Sequence, residues 1–142
     1  MYSFIVNPNA SGGRGERIWR RLEKQLKHLG VPYEAFVTEK TGDARRLACD
    51  LTEHQREPRI LIAVGGDGTV SEVLDGISFC GPVTLGYIPT GSGNDLARSL
   101  RLPKSPSRCL KKILNPKYHK LLDYGVLSYG DHLTHRRFMV ST

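Results

Sequence analysis

Residues 60–64 read Ile-Leu-Ile-Ala-Val and run straight into Gly65-Gly66-Asp67-Gly68-Thr69. A strand with one wet face alternates apolar and polar side chains, so an unbroken apolar run marks a strand covered on both faces. Such strands belong to parallel sheets, whose crossover helices pack above and below. Val70, Val73, Leu74 and Ile77 then recur at helical spacing, so the chain passes from strand through glycine turn to helix. The same unit follows once more: an apolar strand over 83–88, the turn Pro89-Thr90-Gly91-Ser92-Gly93-Asn94-Asp95, and a helix over 96–100.

The remaining pattern agrees with this alternation. Residues 2–6 form a strand ended by Asn7-Pro8, and Asn9-Ala10-Ser11-Gly12-Gly13 is a loop. Ile18, Leu22, Leu26 and Leu29 mark a helix stopped by Gly30. A strand spans 33–37, and Thr41-Gly42-Asp43-Ala44 opens a helix through about 55 that buries Ala44, Leu47, Ala48 and Leu51. Pro103 and Pro106 punctuate a loop before a helix over 108–114. Beyond Asn115, 121–127 and 138–140 read as two strands joined through Ser128-Tyr129-Gly130-Asp131. The division expected is an α/β core over 1–116 and a β-hairpin over 117–142. In parallel sheets ligands sit at the carboxyl ends of strands, where Asn7 and both glycine turns fall.

Composition narrows the classes. At 142 residues the chain can bury a single core, and its 39% apolar and 25% charged residues are ordinary for a globular domain. No apolar run approaches the roughly 20 residues that span a bilayer. Asn7 and Pro8 interrupt the first apolar stretch, so no secretory leader is expected. Cys49, Cys80 and Cys109 form no C-x-x-C pair, which argues for free thiols in the cytoplasm, and the histidines lack ligand spacing. The net charge of +7 gathers at Arg14, Arg17, Arg20, Arg21, Lys24 and Lys27 and again over 111–120. These are solvated helix faces or a surface for something anionic: a nucleotide or an acidic lipid surface. Nucleic acid is a third such anion, but no aromatic residues interleave the cations as stacking on it requires, so it ranks last and is not expected as the partner.

Two glycine turns at helix N-termini are candidate anion sites, because unpaired backbone N–H groups and the helix dipole both face a ligand there. Neither completes a Walker or a G-x-G-x-x-G fingerprint. Asp67, between Gly66 and Gly68, reads either as a turn residue or as a carboxylate that binds a hydrated magnesium ion or accepts a substrate proton. Thr69 and Glu72 have the spacing of a capping box, as do Ser92 and Asp95. Ser92 either caps its helix or donates to a phosphate. Asn94 and Asp95 either stiffen the turn or touch substrate. Thr41 reads as an N-cap with Asp43 in the first turn, and Trp19 and His28 read as packing and surface residues.

These segments together resemble the diacylglycerol kinase catalytic domain family of lipid kinases, which includes sphingosine kinases. The resemblance rests on 5–12, on Thr38 with Thr41-Gly42-Asp43-Ala44, on 65–73, on 89–97, and on Leu122-Asp123. It implies an α/β fold: a three-layer α/β/α Rossmann-like domain of the NAD kinase/diacylglycerol kinase N-terminal type, with a mostly parallel sheet and a terminal β-hairpin. It implies ATP and Mg2+ as cofactors. Carried over, Asn7, Ser11, Thr38, Gly65, Gly66, Asp67, Gly68, Thr69, Val70, Ser71, Glu72, Val73, Gly91, Ser92, Gly93 and Asn94 would meet ATP. Asp67 would act beside the γ-phosphate and its metal. The implied partners are ATP and a lipid at an anionic membrane surface, reached by a cytoplasmic protein that associates peripherally, with a homodimer as the assembly. Family members continue into a β-sandwich domain with further magnesium ligands. The chain is thus expected to be the nucleotide-binding half, inactive alone. The first glycine turn is shared with NAD kinases, which leaves an NAD kinase-like enzyme and a non-catalytic nucleotide-binding module as alternatives.

Overall fold

The computed structural model describes residues 1–78, 81–91 and 93–115, and the backbone alone of two further strands at 124–129 and 134–139. Strands β1 (Tyr2–Val6), β2 (Tyr33–Val37), β3 (Arg59–Gly65) and β4 (Val83–Pro89) form one sheet in the order β2-β1-β3-β4, parallel throughout. Helices α1 (Ala10–Leu29), α2 (Asp43–Thr52), α3 (Asp67–Gly76), α4 (Asp95–Ser99) and α5 (Pro106–Leu114) connect and cover it. An antiparallel hairpin of β5 (Tyr124–Tyr129) and β6 (Thr134–Met139) follows.

The strand period of two distributes the central strands between two cores. Ile5, Leu61, Ala63 and Tyr87 face Ala44 and Ala48 of α2, Val70, Val73 and Leu74 of α3 and Ala97 of α4. Phe4, Val6, Ile62, Val64 and Ile88 face Trp19, Leu22 and Leu26 of α1 and Cys109 and Leu110 of α5. The result is the three-layer α/β/α arrangement, with the 60–64 run buried on both sides. Each fully buried Leu or Ile contributes about 1.5–3 kcal/mol. Trp19 packs its ring 5.1 Å from that of Phe4 and 6.2 Å from that of Tyr33, so its role is in the core. At the N-terminal edge of the sheet Arg59 donates to both Ser3 and Glu34, at 2.8 and 2.9 Å, tying three strands together.

Helix ends refine the expected boundaries. Gly30 adopts φ 67 after α1, and the Val31 N–H bonds back to the Leu26 carbonyl at 3.1 Å. Within α1, Ser11, Gly12 and Gly13 have left-handed angles, so the expected loop is present there and the regular helix begins after it. α2 starts at Asp43, with Gly42 rather than Thr41 as its N-cap, and ends at Thr52, whose hydroxyl donates to the Ala48 carbonyl at 2.6 Å. Ser128 and Tyr129, expected in the hairpin turn, pair within β5 opposite His135 and Thr134. Ser92, Cys80, Leu122 and Asp123 lie outside the described residues. Cys49 and Cys109 are unbridged. Among the described residues no helix is long and apolar enough to cross a membrane.

Candidate functional site

The parallel sheet delivers its four C-terminal strand ends to one edge, with Val6 level with Val37 and Val64, and Gly65 level with Pro89. The pairing runs past the strands. Asn7 N–H donates to the Val64 carbonyl, Thr38 N–H to that of Val6 and Thr90 N–H to that of Gly65, each at 2.8 Å. Asn7 also reaches across to α3, its Nδ2 donating to Thr69 Oγ1 at 3.3 Å, while its Oδ1 accepts the Asn9 N–H at 3.1 Å. The loop that follows holds Ser11 at φ 51, a left-handed conformation that costs a residue with a Cβ about 1–2 kcal/mol.

The two glycine turns are in contact. A Cβ built on Gly91 would stand 2.8 Å from the Gly66 Cα, closer than real side chains approach backbone, so only glycine lets the turns meet. Gly68 and Gly93 are different: a Cβ on either would meet nothing within 4 Å. They border open space in front of the helices. The N–H groups of Asp67 and Gly68 lie in the first turn of α3, where no intrahelical acceptor exists.

Asp67 is the hinge pin of the arrangement. Its Oδ1 accepts from the Tyr87 hydroxyl at 3.0 Å, and its Oδ2 accepts the Asp95 N–H at 2.8 Å. The carboxylate of one turn therefore caps the helix of the other. Burial, reinforced by the neighbouring Asp67 carboxylate, pushes the Tyr87 phenol well above its ordinary value, so it remains a donor.

The expected capping box does not form. The N-cap of α3 is Gly66, without a side-chain cap, which puts Thr69 inside the first turn. Glu72 instead accepts the Gly42 N–H, joining α3 to the start of α2. Asp43 turns back as well: its Oδ2 accepts the N–H groups of Glu39 and Lys40 at 2.8 and 3.0 Å. These backbone bonds hold its carboxyl below the ordinary aspartate value. Thr38, at the end of β2, is thereby fixed beside α2's entry and is itself buried.

Of the residues carried over, Asn7, Thr38, Gly65, Gly66, Asp67, Gly68, Thr69 and Gly91 meet at this edge through the bonds and contacts above. Asn94 caps α4 in a left-handed conformation at φ 52, and Gly93 is exposed before it. Ser71 and Ser11 are exposed. The side chains of Val70 and Val73 are fully buried in the core beneath α3 and seat the helix, which leaves only their backbone to face a ligand. Three features escaped sequence reasoning. Tyr87 reads as one more apolar strand residue, and only the fold aims its hydroxyl at Asp67. The Thr90 hydroxyl and the Asn94 Oδ1 are buried beside the Gly91 turn without a hydrogen-bond partner among the described residues. Among the described residues no group of three or more His, Cys, Asp or Glu could hold a metal ion.

The family model of the diacylglycerol kinase catalytic domain matches residues 1–125. A diacylglycerol kinase of Staphylococcus saprophyticus is 38% identical over 100 residues, covering 70% of this chain and 32% of the relative. One of Staphylococcus aureus (strain bovine RF122) is 35% identical over 111 residues, covering 78% of this chain and 35% of the relative. The crystal structure of a diacylglycerol kinase from Bacillus anthracis superposes with a TM-score of 0.70 at 26% identity, covering 96% of this chain and 47% of that one. The chain thus spans about a third of the length of these curated relatives. Matching motifs in matching order, on a superposable sheet whose glycine turns meet at one edge, make this chain a member of the diacylglycerol kinase catalytic domain family.

Proposed function

We propose that the strand-end edge binds the phosphates of ATP, and that the chain is the nucleotide-binding part of a kinase that passes the γ-phosphoryl group to a lipid hydroxyl. With diacylglycerol as acceptor the product is phosphatidic acid. The observation that carries the reading is the contact of the two glycine turns across Gly66 and Gly91, locked by Asp67. It gathers first-turn amides, the open faces of Gly68 and Gly93 and an acid into one small region. The Thr90 hydroxyl and Asn94 oxygen, which have no partner among the described residues, support it further. A buried polar atom left unpaired costs about 1–3 kcal/mol, and a ligand or its bound water would relieve that cost.

The residues do fixed work in this reading. The amides of Asp67 and Gly68 and the α3 dipole stabilise phosphate charge. Asn7 and Thr69 brace the turn from the β1 side, and Thr38 stands at the β2 end of the same edge. Tyr87 and the Asp95 N–H orient the Asp67 carboxylate toward the terminal phosphate. Mg2+ fits as a guest with a single protein carboxylate, since this ion commonly takes one or two carboxylates and completes its shell with phosphates and water. When bound it would neutralise phosphate charge. Catalysis in such transfers rests on positioning and electrostatics. The β-sandwich that the family resemblance implies would supply the rest of the site, and the lipid would be met at the membrane surface.

Calorimetric titration of the chain with MgATP tests the binding claim, and soaked crystals test its location. A triphosphate seated away from the 65–69 and 90–94 turns would end this reading. Turnover is tested at the full length of the relatives by following labelled phospholipid, with NAD as a competing acceptor. Undiminished product from Asp67→Asn would remove Asp67 from the chemistry. Nucleotide binding with neither acceptor phosphorylated would favour the non-catalytic module.

A further inference from the structure

A second charged feature lies apart from the strand-end site. Between Asp95 and Asp123 the sequence holds no acidic residue, while Arg98, Arg101, Lys104, Arg108, Lys111, Lys112, Lys117 and Lys120 fall inside the same stretch. The fold gathers four of these cations. An open cavity of about 430 Å³ is lined by Arg101, Pro103, Arg108, Lys111 and Lys112. Some cations elsewhere are neutralised: Arg98 pairs with Asp95, Arg45 with Asp75, Arg59 with Glu34. None of the four lining cations makes an ion pair among the described residues. Like charges lining one cavity repel one another, and an anion among them would relieve that repulsion.

Its construction is rigid where it needs to be. Helix α5 buries Cys109 and Leu110 against the sheet and leaves Arg108, Lys111 and Lys112 on its outer side. Ser105 caps its N-terminus by accepting the Arg108 N–H at 3.4 Å, and Gln25 of α1 donates to Ser107 at 2.7 Å. Arg101 is held at φ 55, a left-handed conformation costly for a residue with a Cβ. It is the left-handed residue that ends α4, where the Leu102 N–H bonds back to the Ala97 carbonyl at 2.9 Å, and so fixes where the Arg101 side chain starts. Position favours a membrane partner. α4 is five residues long, about 7.5 Å. Its N-terminus is capped by Asp67, and its other end leads to Arg101. A phosphate held in the cavity therefore lies one short helix away from the proposed ATP edge.

We infer that the cavity formed by Arg101, Arg108, Lys111 and Lys112 binds the phosphate headgroup of an anionic phospholipid and docks this face of the domain on the bilayer. The choice of a phospholipid rests on the lipid-kinase reading above; the cavity and its unpaired cations do not. Docking here holds the ATP edge close to the surface where a lipid hydroxyl is found, without using any residue of the phosphate-binding turns.

The test is co-sedimentation of the chain with vesicles of pure phosphatidylcholine and with vesicles in which phosphatidylglycerol supplies anionic charge. Lys111→Gln/Lys112→Gln should weaken binding to the anionic vesicles about 25-fold, roughly five-fold per surface cation. Arg17→Gln/Lys24→Gln removes the same charge from the outer side of α1 and should change binding far less. Equal loss in both doubles would overturn the inference, because net charge alone would then explain attraction. So would parent-like binding in Lys111→Gln/Lys112→Gln. Competition by millimolar inorganic phosphate as effective as by vesicles would also overturn it, in favour of a soluble anion. Preference for single-stranded RNA over the anionic vesicles would do the same. Circular dichroism checks folding of each variant, and their MgATP affinity by calorimetry should stay at the parent's value. Loss of ATP binding in the parent with vesicle binding intact would mark a failure of the ATP reading alone.

Discussion

Gly68→Ala separates a phosphate site from a merely structural turn. Gly68 is the second residue of α3, is exposed, and does not have a left-handed φ. A Cβ there would meet nothing within 4 Å. The fold therefore gives no reason for glycine, and alanine is the better helix former by up to about 1 kcal/mol. With a urea m-value of about 1–3 kcal/mol/M, that gain would raise the unfolding midpoint by about 0.3–1 M. A ligand changes the outcome. In a helix each Cα–Cβ bond tilts toward the N-terminus, so the new methyl would project toward the anion facing the Asp67 and Gly68 amides. A phosphate oxygen needs to come within about 2.9 Å of an amide nitrogen, and the methyl would stand in its path. We expect Gly68→Ala to unfold at the same or higher urea concentration and yet to bind MgATP at least tenfold more weakly, about 1.4 kcal/mol. Urea unfolding followed by circular dichroism and calorimetric titration measure the two quantities. Parent-like affinity in a normally folded variant would refute the reasoning. Gly91→Ala is the companion: its Cβ would press on the Gly66 Cα, so stability should fall by about 1–3 kcal/mol along with binding.

Three further outcomes are expected. Tyr87→Phe removes the donor to Asp67 Oδ1 while keeping the ring, and should cost about 1–2 kcal/mol in urea unfolding. It should slow turnover at full length more than it weakens ATP binding. Gly76→Ala would drive a methyl into the Arg45 carbonyl of α2, which calorimetric melting should register as a loss of about 1–3 kcal/mol. Asp43 has a folded pKa below the ordinary 3.8, held there first by the Glu39 and Lys40 N–H groups. Its contribution to stability is complete above 3.8 and disappears as pH falls through the lower folded value, so Asp43→Asn should flatten that acid limb of the pH–stability curve.

Much of the fold could be read from local pattern. The 60–64 run, the Gly30 stop and the spacing of Leu22 and Leu26 each depend on burial periodicity or on one residue's backbone freedom, which are properties of short segments. The four parallel strands and the helices between them follow from that. Helix entries were less legible. Thr41, Thr69 and Glu72 carry capping sequences, yet glycines occupy the N-caps at 42 and 66, and Glu72 spends its carboxylate on the Gly42 N–H. A capping motif states which donors a side chain can reach locally; it cannot know that a donor thirty residues away will be nearer. Val70 and Val73 fall within the 65–73 segment singled out by the family resemblance, and the helix turns their side chains to the core.

The order of residues alone decided that this chain builds a doubly covered parallel sheet with two glycine turns at helix starts, because apolar period and glycine conformation act within a few residues. Only the packed molecule decided that Gly66 and Gly91 touch, that Tyr87 and the Asp95 amide hold Asp67, and that four cations share one cavity beyond α4. Those facts arise from contacts between segments distant in the chain, fixed by the register of neighbouring strands and the helices laid across them.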